Sequence, residues 1–185
     1  MSNTSRSLQQ TGSAGVALIE PDRSSLLELT LPAPQVMTDF RSVRALVVAP
    51  DRHVDAALQD MVLGGVRALL VTEHDQLLGL LTAADIMGEK PIQFLQDPAC
   101  EGSPCRHSDI HARDIMTPLE QLSTLTFDRV RNLSIRDIVE EFRHAQTTHL
   151  LVIQGTGKAH SNVRGIFSRS RIARECGLGE RTWLA

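Results

Sequence analysis

Two groups of residues in this chain have the types and spacings to do chemistry. The first is Gly79-Leu80-Leu81-Thr82-Ala83-Ala84-Asp85, where an apolar run ends at a hydroxyl residue and an acid follows three positions later. Thr82 is placed to cap a helix and Asp85 to lie in its first turn. Two readings stay open. The pair is a capping box alone, or its carboxylate accepts hydrogen bonds from a ligand in a neighbouring cleft. The second group is Cys100, Cys105, His107 and His111, spaced C-x4-C and H-x3-H. Zinc sites use these residue types at similar spacings. Only one residue separates Cys105 from His107, which is tight for a tetrahedron, so the plainer reading is an incidental polar linker with no metal. A zinc-responsive module is the alternative.

The elements that must position these residues occur twice. Val54, Ala57, Leu58 and Met61 follow the i, i+3, i+4, i+7 spacing of a helix with one buried face, and Ile135, Ile138, Val139 and Phe142 repeat it 81 residues later. Ser134 and Asp137 have the form of a capping box for the second helix, and Asp51 is a candidate cap for the first. At the same offset Arg67 to Val71 matches Thr148 to Val152 as runs of strand length, and Leu77 to Leu81 then matches Val163 to Phe167 at an offset of 86. The five extra residues fall in the polar turn Gln154 to Asn162, where an insertion costs little. Val36-Met37-Thr38 opens the first unit and Ile115-Met116-Thr117 the second.

Each unit therefore reads as strand, helix, strand, strand, helix. Neither is large enough to be comfortable alone, so an α+β fold is expected in which two tandem repeats pack face to face with pseudo-twofold symmetry. The expected divisions are a flexible N-terminal arm (1–34, with Ser24 to Leu31 its ordered part), repeat 1 (35–90), a Pro- and Gly-bearing linker (91–113) with one helical turn around Ile92 to Leu95, repeat 2 (114–178) and a tail (179–185).

With 42% hydrophobic and 22% charged residues, the 185-residue chain has the composition of a folded protein. A net charge of -3 with mixed signs, 3% aromatics and no Tyr gives no basic stripe and no stacking platform, which argues against nucleic acid as a partner. Three cysteines and a Ser-, Thr- and Gln-rich start, whose longest apolar stretch is Ala14 to Ile19, point to a reducing compartment without leader or membrane span. The expectation is a cytoplasmic protein. Cys176 reads as a buried small residue. No Walker loop, nucleophile elbow, zincin helix or catalytic carboxylate pair is present in the sequence, so no enzyme is expected.

The glycine, apolar pair, Thr82 and Asp85, closing a repeat of this order, resemble the CBS domain family. The resemblance covers about two thirds of the chain and implies a stand-alone CBS pair that binds an adenosine-containing ligand, such as AMP, ADP or ATP, between its repeats. Asp85 would accept from the ribose hydroxyls, with Thr82 and Gly79 beside it. In the second unit Gly165-Ile166-Phe167-Ser168-Arg169-Ser170-Arg171 matches, but Arg171 stands where the family has Asp. A guanidinium cannot accept from a diol, so that cleft stays empty, takes another ligand or lends charge to phosphates. One nucleotide per chain, on the Asp85 side, is expected.

For the adenine, the resemblance points to Thr38, Ala68 and Leu70 from the first unit and Thr117, His149 and Leu151 from the second. His149 is either a hydrogen-bonded structural residue or a ligand contact; Ser168, Arg169 and Arg171 are either phosphate contacts or ordinary polar helix residues. The family further implies a homodimer that signals to an effector protein, with the adenosyl ligand as effector and no required cofactor. A constitutive dimerisation scaffold with a vestigial pocket is the other reading.

Overall fold

The structure is a computed structural model that describes residues 26–96, 106–155 and 161–183. Two four-stranded sheets form its centre. In one, β2 (Val47–Val48), β3 (Ala68–Glu73), β4 (Gln76–Thr82) and β5 (Thr117–Pro118) lie side by side. In the other, the order is β1 (Thr38–Asp39), β8 (Ser161–Ser168), β7 (His149–Gly155) and β6 (Thr124–Thr126). β3 and β4, and likewise β7 and β8, form antiparallel hairpins whose registers slip at matching places, after Val71 and after Val152. β2 and β6 run parallel to β3 and β7, with Val47 opposite Leu70 and Thr124 opposite Leu151. Two tandem α+β repeats, related by pseudo-twofold symmetry, make up the molecule.

The repeats exchange their first strands. β1, from the start of the first unit, pairs with β8 through Thr38 opposite Ile166 and Asp39 opposite Gly165. β5, from the start of the second, pairs with β4 through Thr117 opposite Leu80 and Pro118 opposite Gly79. The expected order of strand, helix, strand, strand, helix is found in both units. The opening strand of each repeat completes the sheet of the other, and short strands that the sequence pattern does not show, β2 and β6, lie at the opposite edges. Periodicity shows which face of a strand is buried, and partner choice leaves no such trace.

Three clusters of apolar side chains hold this arrangement. Helix α1 (Val54–Gly64) buries Val54, Ala57 and Met61 against Leu69, Val71 and Leu81 in the first unit's core. Helix α6 (Ile135–Ala145) buries Ile135, Ile138, Val139 and Phe142 against Leu150, Val152 and Phe167 in the second. Leu70, Leu80 and Leu151 form a third cluster that joins the two sheets. Both long helices start at side-chain caps. Ser134 and Asp137 make the expected capping box. The cap of α1 is His53, whose Nδ1 accepts from the Asp55 amide at 3.2 Å, and the expectation of Asp51 is corrected: that residue lies in the preceding turn.

Short helices complete each unit: α2 (Ala83–Met87) and α3 (Lys90–Leu95) after β4, α4 (Ala112–Ile115) before β5, α5 (Phe127–Val130) after β6, and α7 (Arg169–Cys176) after β8. Cys176 is half-buried against the second core, and burial pushes its thiol pKa up. The expected turn at Ile92 to Leu95 is the body of α3. Ser24 and most of the expected insertion turn lie outside the described residues.

Candidate functional site

Thr82 ends β4 and caps α2, and this fixes Asp85. Its Oδ2 accepts from the Thr82 amide at 2.8 Å and from Thr82 Oγ1 at 2.7 Å, while the Asp85 amide donates to Thr82 Oγ1 at 3.2 Å. Its Oδ1 is 2.7 Å from Lys90 Nζ, which also donates to the Ile115 carbonyl at 2.9 Å and to Thr117 Oγ1 at 3.2 Å. The Asp85 side chain is only 12% exposed. Both of its oxygens already serve the fold, so a ribose on this side would have to share a carboxylate with the capping box and the ammonium.

The pseudo-symmetric position is built differently. Arg171, in the first turn of α7, donates through Nη1 to Thr38 Oγ1 at 2.8 Å and through Nε to Glu175 at 2.7 Å. Thr38 is the counterpart of Thr117. One guanidinium thus spans a place that Asp85 and Lys90 fill together in the other repeat. Above this contact a cavity of about 520 Å³ opens between the repeats. Leu46, Val66, Ala68, Leu70, Leu80 and Ile166 give it an apolar wall, Thr38, Ser168 and Ser170 supply hydroxyls, and Arg44, Arg67, Arg171 and Arg174 surround it with positive charge. Its size is that of small-molecule sites, and apolar walls with a few placed polar groups are their usual lining.

His149 lines the same cavity at the start of β7, with its Nδ1 2.9 Å from Thr148 Oγ1. Burial pushes its pKa down to about 4; the Arg67 charge adds to this and the Asp85 carboxylate opposes it. The ring is neutral at pH 7.

A neighbouring cavity of about 400 Å³ is lined by Thr82, Arg169 and Trp183, and shares Arg67, His149 and Ser170 with the first. Of the residues singled out by sequence, Thr38, Ala68, Leu70, His149, Ser168 and Arg171 therefore meet in the larger cavity, and Thr82, Arg169 and again His149 in the smaller. Leu151 is buried between the sheets, Gly79 sits against Pro118 in the ladder, and Thr117 is held by Lys90. Arg44, Arg67 and Arg174 escape sequence reasoning because they come from a loop, a strand edge and a helix and share no motif.

The cysteine–histidine group is only half visible, since Cys100 and Cys105 lie outside the described residues. His107 donates through Nε2 to Asp55 Oδ1 at 2.9 Å, and His111 stands 3.6 Å from Asp114. Among the described residues no three His, Cys, Asp or Glu side chains are placed to hold a metal ion.

A model of the CBS domain family matches residues 35–91. Solved structures with the same architecture cover most of the chain. CBSX2 from Arabidopsis thaliana, a CBS-pair protein solved in complex with AMP, superposes with a TM-score of 0.53 at 21% identity, over 78% of this chain and 94% of that one. The chain has the fold of a CBS pair, and one stretch of it matches the CBS domain.

The CBS pair has other structural relatives. An uncharacterized conserved protein from Pyrococcus horikoshii gives a TM-score of 0.53 at 22% identity, over 80% of this chain and 93% of that one. The CBS domain of a bacterial CNNM/CorC family Mg2+ transporter, solved in complex with ATP, gives 0.52 at 14% identity, over 81% and 89%. Among curated sequences, the chloroplastic 9-cis-epoxycarotenoid dioxygenase NCED6 of Arabidopsis thaliana is 32% identical over 74 residues, a match that spans 40% of this chain and 13% of that enzyme. Among the described residues no helix of the CBS pair is long and apolar enough to cross a membrane.

Proposed function

We propose that this CBS pair is a non-catalytic regulatory module that binds an adenosine nucleotide in the larger cavity between its repeats, on the Arg171 side, and passes its occupancy to a partner protein. The observation that carries the reading is the cavity itself, an apolar slot wide enough for a base with guanidinium groups at its edge for phosphate. Two proteins of the same fold, CBSX2 and the CNNM/CorC CBS domain, have been solved with AMP and with ATP. The hydroxyls of Thr38, Ser168 and Ser170 are the groups available to a ribose here.

Signalling follows from what the ligand must displace. Arg171 is tied to Thr38, and Thr38 belongs to the exchanged strand β1. A phosphate that draws the guanidinium away loosens one repeat's strand from the other's helix, a differential contact of the kind a two-state element needs. Exposed Val62 and Leu63 on α1 and Met87 on α2 support a homodimer formed through helical faces, leaving the response to an effector protein.

Calorimetric titration of nucleotide-free protein with AMP, ADP and ATP, set beside their guanosine counterparts, tests the reading. Adenosine compounds bind, and Arg171→Ala weakens them roughly ten- to a hundredfold, the cost of a charge-assisted contact. Asp85→Ala, with its fold checked by circular dichroism, changes affinity less than about threefold, within the range of an indirect effect. Loss at Asp85 with none at Arg171 moves the ligand to the other cleft, and no binding by any adenosine compound ends the proposal.

A further inference from the structure

The larger cavity is bordered by charge of one sign. Arg44, Arg67, Arg171 and Arg174 stand around it, and no Asp or Glu among the described residues lines it. Arg171 is paired with Glu175; among the described residues the other three have no carboxylate within ion-pair distance. Unpaired guanidinium groups beside an apolar wall suit an occupant that has both acidic and apolar parts.

The chain itself supplies such an occupant. Ahead of Leu26, an apolar run from Val16 to Ile19 is followed by the carboxylates of Glu20 and Asp22, and Pro21 biases Glu20 toward extended backbone. Its point of attachment is beside the cavity. Leu26 lies against Gly177 at the end of α7, and the Leu27 amide donates to the Glu175 carbonyl at 2.9 Å. Arg174 and Arg171 are three and six residues back along that helix from Gly177, about 4.5 and 9 Å by its rise. Asp22 is four residues ahead of Leu26 and Ile19 seven, so extended chain carries them as far as about 13 and 23 Å. The order agrees too. From Leu26 backward the acids come before the apolar run, while the cations of α7 lie nearer the attachment and the wall of Leu46, Val66 and Leu80 belongs to the other repeat.

We propose that the N-terminal arm folds back into the larger cavity of its own chain, with Leu18 and Ile19 on the apolar wall and Glu20 and Asp22 on Arg44 and Arg174, and that a ligand must displace it. A tethered segment acts at an effective concentration of about a millimolar, so contacts too weak to bind a free peptide suffice to seat it. The arm is then a competitor built into the chain, and the fraction of molecules with the cavity open sets the apparent affinity of anything that enters. That consequence rests on the nucleotide reading above; the docking itself does not.

Amide hydrogen exchange on the full chain, with no ligand added, tests the docking. Backbone amides from Val16 to Glu20 exchange at least about tenfold more slowly than free chain, and Asp22→Arg and Arg174→Asp each return them to the free-chain rate. Combining the two substitutions restores protection, which damage to α7 would not do. Free-chain rates in wild type, or protection indifferent to both substitutions, overturn the proposal. So does protection that fades on dilution, which gives the cavity to the arm of a second copy. Calorimetry with AMP then separates the two readings. Asp22→Arg, which leaves the cavity lining intact, binds AMP about tenfold more tightly than wild type, because the competitor is gone. Equal AMP affinity in both proteins means that the arm does not stand in the ligand's way, and overturns the proposal while nucleotide binding stands. Protection without AMP binding in either protein ends the nucleotide reading and keeps the docking.

Discussion

A neutral imidazole at the meeting point of two cation-lined cavities has consequences for pH. His149 has a folded pKa of about 4 against an ordinary value of 6.5, because burial disfavours its charged form. The unfolded chain therefore binds the extra proton first as pH falls, and stability contributed by the neutral ring is fully present above about pH 6.5 and is lost as pH drops toward 4. The amount is on the order of 3 kcal/mol. His149→Gln should flatten chemical-denaturation stability across that window, and an unchanged slope would show that burial does not hold the ring neutral. Asp39 and Asp137 act lower on the scale. Their pKa values are depressed by hydrogen bonds from Arg164 and Ser134, so their contributions are present above the ordinary carboxylate range and disappear beneath it. The family resemblance implied that Asp85 marks the occupied cleft. The structure shows that carboxylate engaged by Thr82, as the spacing allows, and also by Lys90, a contact that no spacing rule could reveal because Lys90 comes from the next helix.

The hairpins and the long helices were readable in advance because their signals are local. Apolar residues at helical spacing, a Ser134 capping box and two runs of strand length each depend on neighbours a few positions away. β1, β2 and β5, two residues each, are too short to carry a pattern. Their partners leave a different mark, in glycine. A Cβ at Gly79 would stand 2.4 Å from the Thr117 carbonyl oxygen, and one at Gly165 would stand 2.5 Å from that of Thr38. At both positions the visiting strand comes too close for a side chain. Gly79→Ala and Gly165→Ala should each destabilise the protein by about 1–3 kcal/mol in thermal or urea unfolding, the range for forced overpacking. Gly179→Ala is the control, having nothing within 4 Å, and should change stability by less than about 0.5 kcal/mol. Equal behaviour of all three would mean that the exchanged strands yield freely.

The molecule as a whole is less divisible than its repeats suggest. Ile110, Ala112 and Ile115 lie beyond the segment that matches the CBS family, yet all three are buried in the first unit's core. A fragment of residues 35–91 lacks them and lacks β5, a loss on the order of 4–7 kcal/mol of burial that approaches the whole stability of an ordinary domain. It should show no cooperative unfolding transition by circular dichroism; a sharp transition would mean that the first repeat closes its own core. The gathering of Arg44, Arg67, Arg171 and Arg174 belongs to this scale too. Four positions spread over 131 residues of chain meet only after both sheets have formed, which is why this gathering of arginines left no sequence signature.

The exchange of edge strands also bears on how the two copies have lasted together. Each sheet is finished by a segment encoded within the other copy, so deleting either one leaves the survivor with an open edge and a shortened sheet. Substitution is under no such constraint. Arg171 stands where its twin carries Asp85, and the fold accommodates the change with a hydrogen bond to Thr38. Descent can therefore rewrite what one copy recognises, or silence it altogether, while architecture keeps both, and the presence of two repeats is no tally of bound ligands.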